Sequence, residues 1–164
     1  MKFLVFPCLK NLLRSKSVVF RKQKTTISLS SSFKLQTQGE YYDLKAIFDL
    51  LNQDYFKNKL NLEITWFGSA HRKARRHRKL GLFCFQTNRI KIHRLLDQPH
   101  FPPYFVSYVV YHEMLHSICA PIKGRQGRYR IHHPDFKMRE KEFVDYTRAK
   151  RWEEENKKLF FTRF

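Results

Sequence analysis

The chain has 164 residues, 42% of them hydrophobic and 16 of them phenylalanine, which suits one folded domain with a modest core and argues against general disorder. Its 33 Lys and Arg face only 14 Asp and Glu, and the resulting net charge of +19 predicts attraction to polyanions, nucleic acid first and an anionic membrane surface second. Cys8, Cys84 and Cys119 contain no Cys-x-x-Cys pair, which excludes a zinc ribbon and a disulfide framework and favours a reducing compartment.

Residues 1–39 hold eight Lys and Arg and no Asp or Glu, with Ser and Thr gathered between Thr25 and Ser32. This composition reads as a poorly ordered basic arm, with an organelle transit peptide as the alternative. An intracellular, cytoplasmic protein is expected, or one of an organellar matrix if the arm is a transit peptide. No apolar run approaches the roughly 18 residues that a membrane span requires, so no membrane association is expected. A domain is expected over 40–164.

The spacing Tyr41, Leu44, Ile47, Phe48, Leu51 predicts a first amphipathic helix. Leu62 to Phe67 reads as a strand. After it comes a basic run from His71 to Lys79, in which Arg72, Lys73, Arg75, Arg76, Arg78 and Lys79 make six cations in nine residues. Such a loop can bind the phosphates of DNA or a nucleoprotein through the backbone, without reading bases, because no aromatic residue is interleaved. The competing reading is a solvated loop between strands. Leu80 to Gln86 and Arg89 to His93 are two further short strands, with Thr87-Asn88 as a tight turn between them.

Pro102 and Pro103 open the next helix, Phe105, Val106, Val109 and Val110 give it a buried stripe, and Pro121 stops it, so it covers 102–119. It carries His112-Glu113-Met114-Leu115-His116. Residues four apart share a helix face, so the two imidazoles can converge on one metal ion. Glu113 stands one step round, beside the metal without ligating it, where a carboxylate can take a proton from an activated water and pass it to a leaving amine. Polar groups on so apolar a helix need partners, and a metal supplies them. Catalytic zinc usually takes three protein ligands, and the candidates for the third are His132, His133, Glu140 and Glu142. Cys119 reads as a buried core thiol. Tyr129 and Arg130 are candidate donors to a developing oxyanion. A loop with Gly124 and Gly127 leads to a last helix over 134–158, with Phe136, Phe143, Tyr146, Ala149 and Trp152 as its inward stripe. The order of elements predicts an α+β domain, its small sheet packed beside the metal-binding helix and flanked by other helices.

The two histidine elements, His112-Glu113-Met114-Leu115-His116 and His132-His133-Pro134-Asp135-Phe136, resemble those of the SprT-like zinc metalloproteases, the family that includes Spartan. The latter is similar to the family's His-Gly-x-x-aromatic element, with His133 in the glycine position. The layout before them is similar too, through Tyr41-Tyr42-Asp43-Leu44, Ile64-Thr65-Trp66, Leu80-Gly81 and Arg89-Ile90-Lys91-Ile92, so that the likeness extends over 41–158. This resemblance implies a zincin-like minimal metalloprotease domain with one catalytic Zn2+ held by His112, His116 and His132, and Glu113 as the catalytic base. It also implies a protein substrate, in the best-known members one crosslinked to DNA. A monomer is expected. Two other readings are a non-catalytic nucleic-acid-binding module with structural zinc, and a metallopeptidase of general protein quality control. Structural zinc is normally closed off by four protein ligands, whereas the pattern here leaves Glu113 unligated in the catalytic position.

Overall fold

Residues 35–70, 79–124 and 127–160 are described by the computed structural model. Helix α1 runs over Leu44–Phe56 and starts where the Asp43 carboxylate accepts from the backbone N–H groups of Lys45 and Ala46, satisfying two of the donors that a helix start leaves free. It ends as Lys57 and Asn58 turn into the left-handed region. Buried Asn52 then holds the outgoing chain, donating to the Leu60 carbonyl at 2.9 Å and accepting from the Leu60 N–H at 3.1 Å. The helix thus begins and ends later in the chain than the spacing from Tyr41 to Leu51 indicates, because Asp43 sets its start and the apolar period continues to Phe56.

Strands β1 (Glu63–Phe67), β2 (Gly81–Cys84) and β3 (Arg89–His93) form a sheet in the order β1-β3-β2, with β3 parallel to β1 and antiparallel to β2. Ile64, Trp66, Phe83, Ile90 and Ile92 alternate inward, the period of two that a half-buried sheet demands. Residues 35–38 lie along β1: the Gln36 carbonyl accepts from Trp66 N–H at 2.8 Å, and Gln36 N–H donates to Thr65 Oγ1 at 3.0 Å. They cover an edge that would otherwise present unpaired backbone groups.

Helix α2 (Pro103–Ile118) is the centre of the molecule. From Phe105 to His116 every residue but Ser107 is buried, as expected of a helix apolar all round. The segment read as a loop after it contains a short antiparallel pair, β4 (Ile122–Lys123) and β5 (Tyr129–Arg130). The single last helix expected over 134–158 is instead three pieces, α3 (Pro134–Glu140), α4 (Tyr146–Glu155) and α5 (Lys157–Phe160). The break has a tertiary cause. Val144 N–H donates to the Tyr55 hydroxyl at 3.1 Å, and Phe143 inserts between the rings of Tyr55, Tyr108 and Tyr111, at centroid distances of 5.9, 5.9 and 5.3 Å. The bend also lays Trp152 of α4 against Phe101 and Phe105. The result is an α+β domain with its small sheet beside α2. Among the described residues no helix is long and apolar enough to cross a membrane.

Of the arm expected over 1–39, positions 1–34 lie outside the described residues, and Gly39 takes part in an anchor at the start of the domain. After β3 and a short 3-10 turn over Arg94–Leu96, buried Asp97 accepts from three successive N–H groups, those of Glu40, Tyr41 and Tyr42, at 2.7, 2.9 and 3.1 Å. A Cβ at position 39 would lie 2.4 Å from the same carboxylate, so only glycine fits there. Asp97→Ala leaves those donors without their acceptor and should cost on the order of 3 kcal/mol, read as a lowered denaturant midpoint. An unchanged midpoint would mean that water replaces the carboxylate without penalty.

Candidate metal centre

His112 and His116 lie one turn apart on α2 and present their rings to the same side. His132 reaches them from the segment between β5 and α3. The three ring centroids are 5.0, 5.0 and 5.1 Å apart, and one potential ligand atom from each lies within 4.8 Å of the other two. Phe136, on the first turns of α3, packs against all three imidazoles at 5.0, 4.7 and 4.7 Å, which gives the aromatic four residues after His132 a physical purpose. Sequence spacing leaves the third position open. The geometry brings His132 to the pair, whereas His133 stands at the N-cap position of α3, outside the cluster and without a side-chain capping bond, and Glu142 is exposed on the turn that follows α3.

The residues present fit a metal ion. Both ring nitrogens of His116 and Nε2 of His132 are buried without a hydrogen-bond partner, a costly arrangement that an ion relieves by taking the one lone pair each neutral ring offers. Burial, followed by the charges of neighbouring histidines, drives His116 down to about 2 and His132 down to about 4. Both imidazoles are therefore neutral at pH 7, the form that can ligate. A set of imidazoles suits a first-row divalent ion such as zinc.

Glu113 is 1% exposed, and its Oε2 is buried without a partner. Burial pushes its carboxyl up to about 7, against the opposing influence of His112, a backbone hydrogen bond from Phe83 and the charge of Lys79. The carboxylate lies directly on β2. A Cβ at Gly81 would stand 2.3 Å from Glu113 Oε1, so the strand approaches this closely only because that position is glycine. Nothing in the local sequence around Gly81 signals the requirement, since it comes from a side chain on α2.

Glu140, at the end of α3, lies behind His112 and outside the cluster of three. Its Oε1 is 2.7 Å from His112 Nδ1 and accepts from the Tyr108 hydroxyl at 2.7 Å. Burial pushes the Glu140 carboxyl upward, but the hydrogen bond and charge of His112, with the bond from Tyr108, outweigh it and hold the group below the usual carboxylate range. Tyr129 and Arg130 form β5, paired with Lys123 and Ile122, in the hairpin that precedes His132. Of the basic run, Arg72, Lys73, Arg75, Arg76 and Arg78 lie outside the described residues, and Lys79 sits half-buried just before β2.

Comparison with known protein families matches residues 44–153 to the SprT-like family. No curated protein and no solved structure matches the chain.

The environment of Glu113 has a measurable consequence in the metal-free protein. An ordinary glutamate loses its proton near 4.5 and this one near 7, so the unfolded chain ionises first. Stabilisation by neutral Glu113 is complete below pH 4.5 and is lost as the pH rises through 7. Glu113→Gln removes the dependence while leaving the histidines in place. The difference in unfolding free energy between variant and wild type should therefore change by about 3 kcal/mol between about pH 4 and pH 8, measured by denaturation in the presence of a chelator. A difference independent of pH would mean that Glu113 ionises like an exposed carboxyl.

Proposed function

The chain belongs to the SprT-like family, and on that premise we propose that it is a zinc-dependent metalloendopeptidase with a zincin-like catalytic domain. The observation that carries this reading is the meeting of three imidazoles, those of His112, His116 and His132, beside a buried carboxyl on the residue after the first. These imidazoles hold the zinc. When bound, it supplies Lewis acidity, which acidifies a water molecule and polarises a peptide carbonyl. Glu113 accepts the proton of the attacking water and delivers it to the leaving amine. Its carboxyl is buried beside the three imidazoles, and in the metal-free protein burial holds it above the ordinary carboxylate range, which favours a group that takes up a proton and gives it back. Gly81 keeps β2 pressed against that carboxyl, and Lys79 favours its ionised form. Three protein ligands leave a coordination position for the reactants, which favours catalysis over a purely structural zinc.

Protein bound to nucleic acid is the substrate class that the charge favours. The net charge is +19, and the run from Arg72 to Lys79 ends two residues before Gly81. Phosphates held along it would bring an attached protein toward Glu113.

Purified protein should carry about one zinc per chain, lost in His112→Ala, His116→Ala and His132→Ala and kept in His133→Ala. Glu113→Gln should keep zinc and fold while losing peptidase activity by roughly 10²-fold or more. A verified activity that survived the change would remove Glu113 from the role of base. For the nucleic-acid reading, replacing Arg75, Arg76, Arg78 and Lys79 with Ala should flatten the salt dependence of DNA affinity by about one log–log unit per lost contact, with zinc content unchanged. An unaltered slope would leave the run as a solvated surface.

A further inference from the structure

The hydrogen bonds behind His112 have no part in the proton transfers assigned to Glu113. His112 Nδ1 and the Tyr108 hydroxyl converge on a single oxygen, Oε1 of Glu140, each at 2.7 Å. Tyr108 and His112 are one turn apart on α2, so both reach across to the last turn of α3. Tyr111 fixes the same turn from beside them, its hydroxyl donating to the Arg139 carbonyl at 2.8 Å. The side chains of His112 and Glu140 are only 4% and 13% exposed, so water competes little for their contact.

A helix of seven residues has little stability of its own, and α3 takes its position from what it touches. His132 lies just ahead of it, Phe136 packs on the three imidazoles midway, and Glu140 ends it against His112. One short helix thus holds the cluster from both sides.

We propose that Glu140 is a positioning residue for the metal, fixing His112 with its hydrogen on Nδ1 and its lone pair on Nε2, and that Tyr108 holds Glu140 in place to do so. The assignment rests on the metal reading given above. An ionised carboxylate has acceptors only, so the hydrogen in the contact comes from the imidazole. A neutral imidazole that donates through Nδ1 has only Nε2 with which to ligate. The negative charge behind the ring also makes that nitrogen a better donor to the ion. Because Oε1 already accepts from two donors, Glu140 supports a ligand instead of being one.

The test compares zinc affinity, by chelator competition on the full chain, in wild type, Glu140→Ala, Glu140→Gln, Tyr108→Phe and Glu142→Gln. Glu140→Ala should weaken zinc binding by about 10- to 100-fold. Glu140→Gln keeps an acceptor oxygen and loses the charge, so it should recover part of that loss. Tyr108→Phe should show a smaller loss, and Glu142→Gln, on the exposed neighbour, should match wild type. Wild-type affinity in Glu140→Ala overturns the assignment, as does a Glu140→Gln variant no better than Glu140→Ala, since the loss would then come from disrupted folding. A second readout covers the case in which Glu140→Ala does not fold. The His112 Nδ1–H proton resonance, recorded on protein as purified, should move in Glu140→Gln and stay fixed in Glu142→Gln; a resonance unmoved by Glu140→Gln also overturns the assignment. Wild type that binds no zinc would instead sink the metal reading itself, whereas tight binding by wild type and Glu140→Ala alike would sink only the role of Glu140.

Discussion

Two imidazoles and a carboxyl sit on a helix that is buried on nearly every side, and each of these groups must find a polar partner or remain at a cost inside the core. The neighbours of α2 are arranged around that demand. Strand β2 brings a backbone hydrogen bond to Glu113 and gives up its side chain at Gly81 to come close enough. Helix α3 and the residues leading into it bring His132, Phe136 and Glu140. His116 and His132 keep buried ring nitrogens without hydrogen-bond partners, and a lone pair on each ring is available to an ion. Packing and chemistry are therefore not separable around this helix, because the elements that stabilise it are those that shape its polar face.

Tyrosine hydroxyls join the helices to one another. Tyr55 of α1 packs its ring on Tyr111 at 4.8 Å and accepts from the backbone beyond α3, while Tyr108 and Tyr111 of α2 donate to the end of α3. Phe143 lies among these rings, and each aromatic contact of this kind contributes about 0.5–1.5 kcal/mol beyond the area it buries. Together they favour ending α3 at Glu140 over continuing it toward α4. Had the helix run on, Val144 N–H would have bonded within it, and Phe143 would not enter the cluster from the turn. The break that fills the core also leaves Glu140 at a helix end, facing His112.

The central helix and its motif were legible because their signals are local: prolines at one end, an apolar stripe and histidines four apart. The three strands were legible from their alternation. By contrast, the interruption of the last helix depends on a hydroxyl 89 positions away in the chain, and no property of Phe143-Val144 announces it. The β4–β5 pair is two residues on each strand, too short to show alternation. His132 and His133 are adjacent and chemically identical, so spacing could not choose between them; the path of the chain into α3 does, by bringing His132 to His112 and His116 and leaving His133 at the N-cap position. By sequence Glu140 is a possible ligand, because carboxylates do ligate. Its position behind His112 depends on how α3 docks on α2, which composition and period do not encode.

Two glutamates flank His112 and behave in opposite ways. Glu113 follows it in the chain and lies against β2, where burial dominates and the proton is held up to about 7. Glu140 comes from across the interface; burial acts on it as well, yet two donors at 2.7 Å overcome that penalty and keep it ionised. Where environments push two like groups apart, their roles divide: the one that changes protonation near neutral pH can carry a proton, and the one that does not can hold a fixed charge. Exchanging the environments would reverse the contrast. A Glu113 supplied with two good donors would remain ionised at neutral pH. A Glu140 stripped of Tyr108 would lose one of the two bonds that keep it charged behind the ring. The separation between the two carboxyls is thus set by Tyr108 on one side of α2 and by the close strand at Gly81 on another.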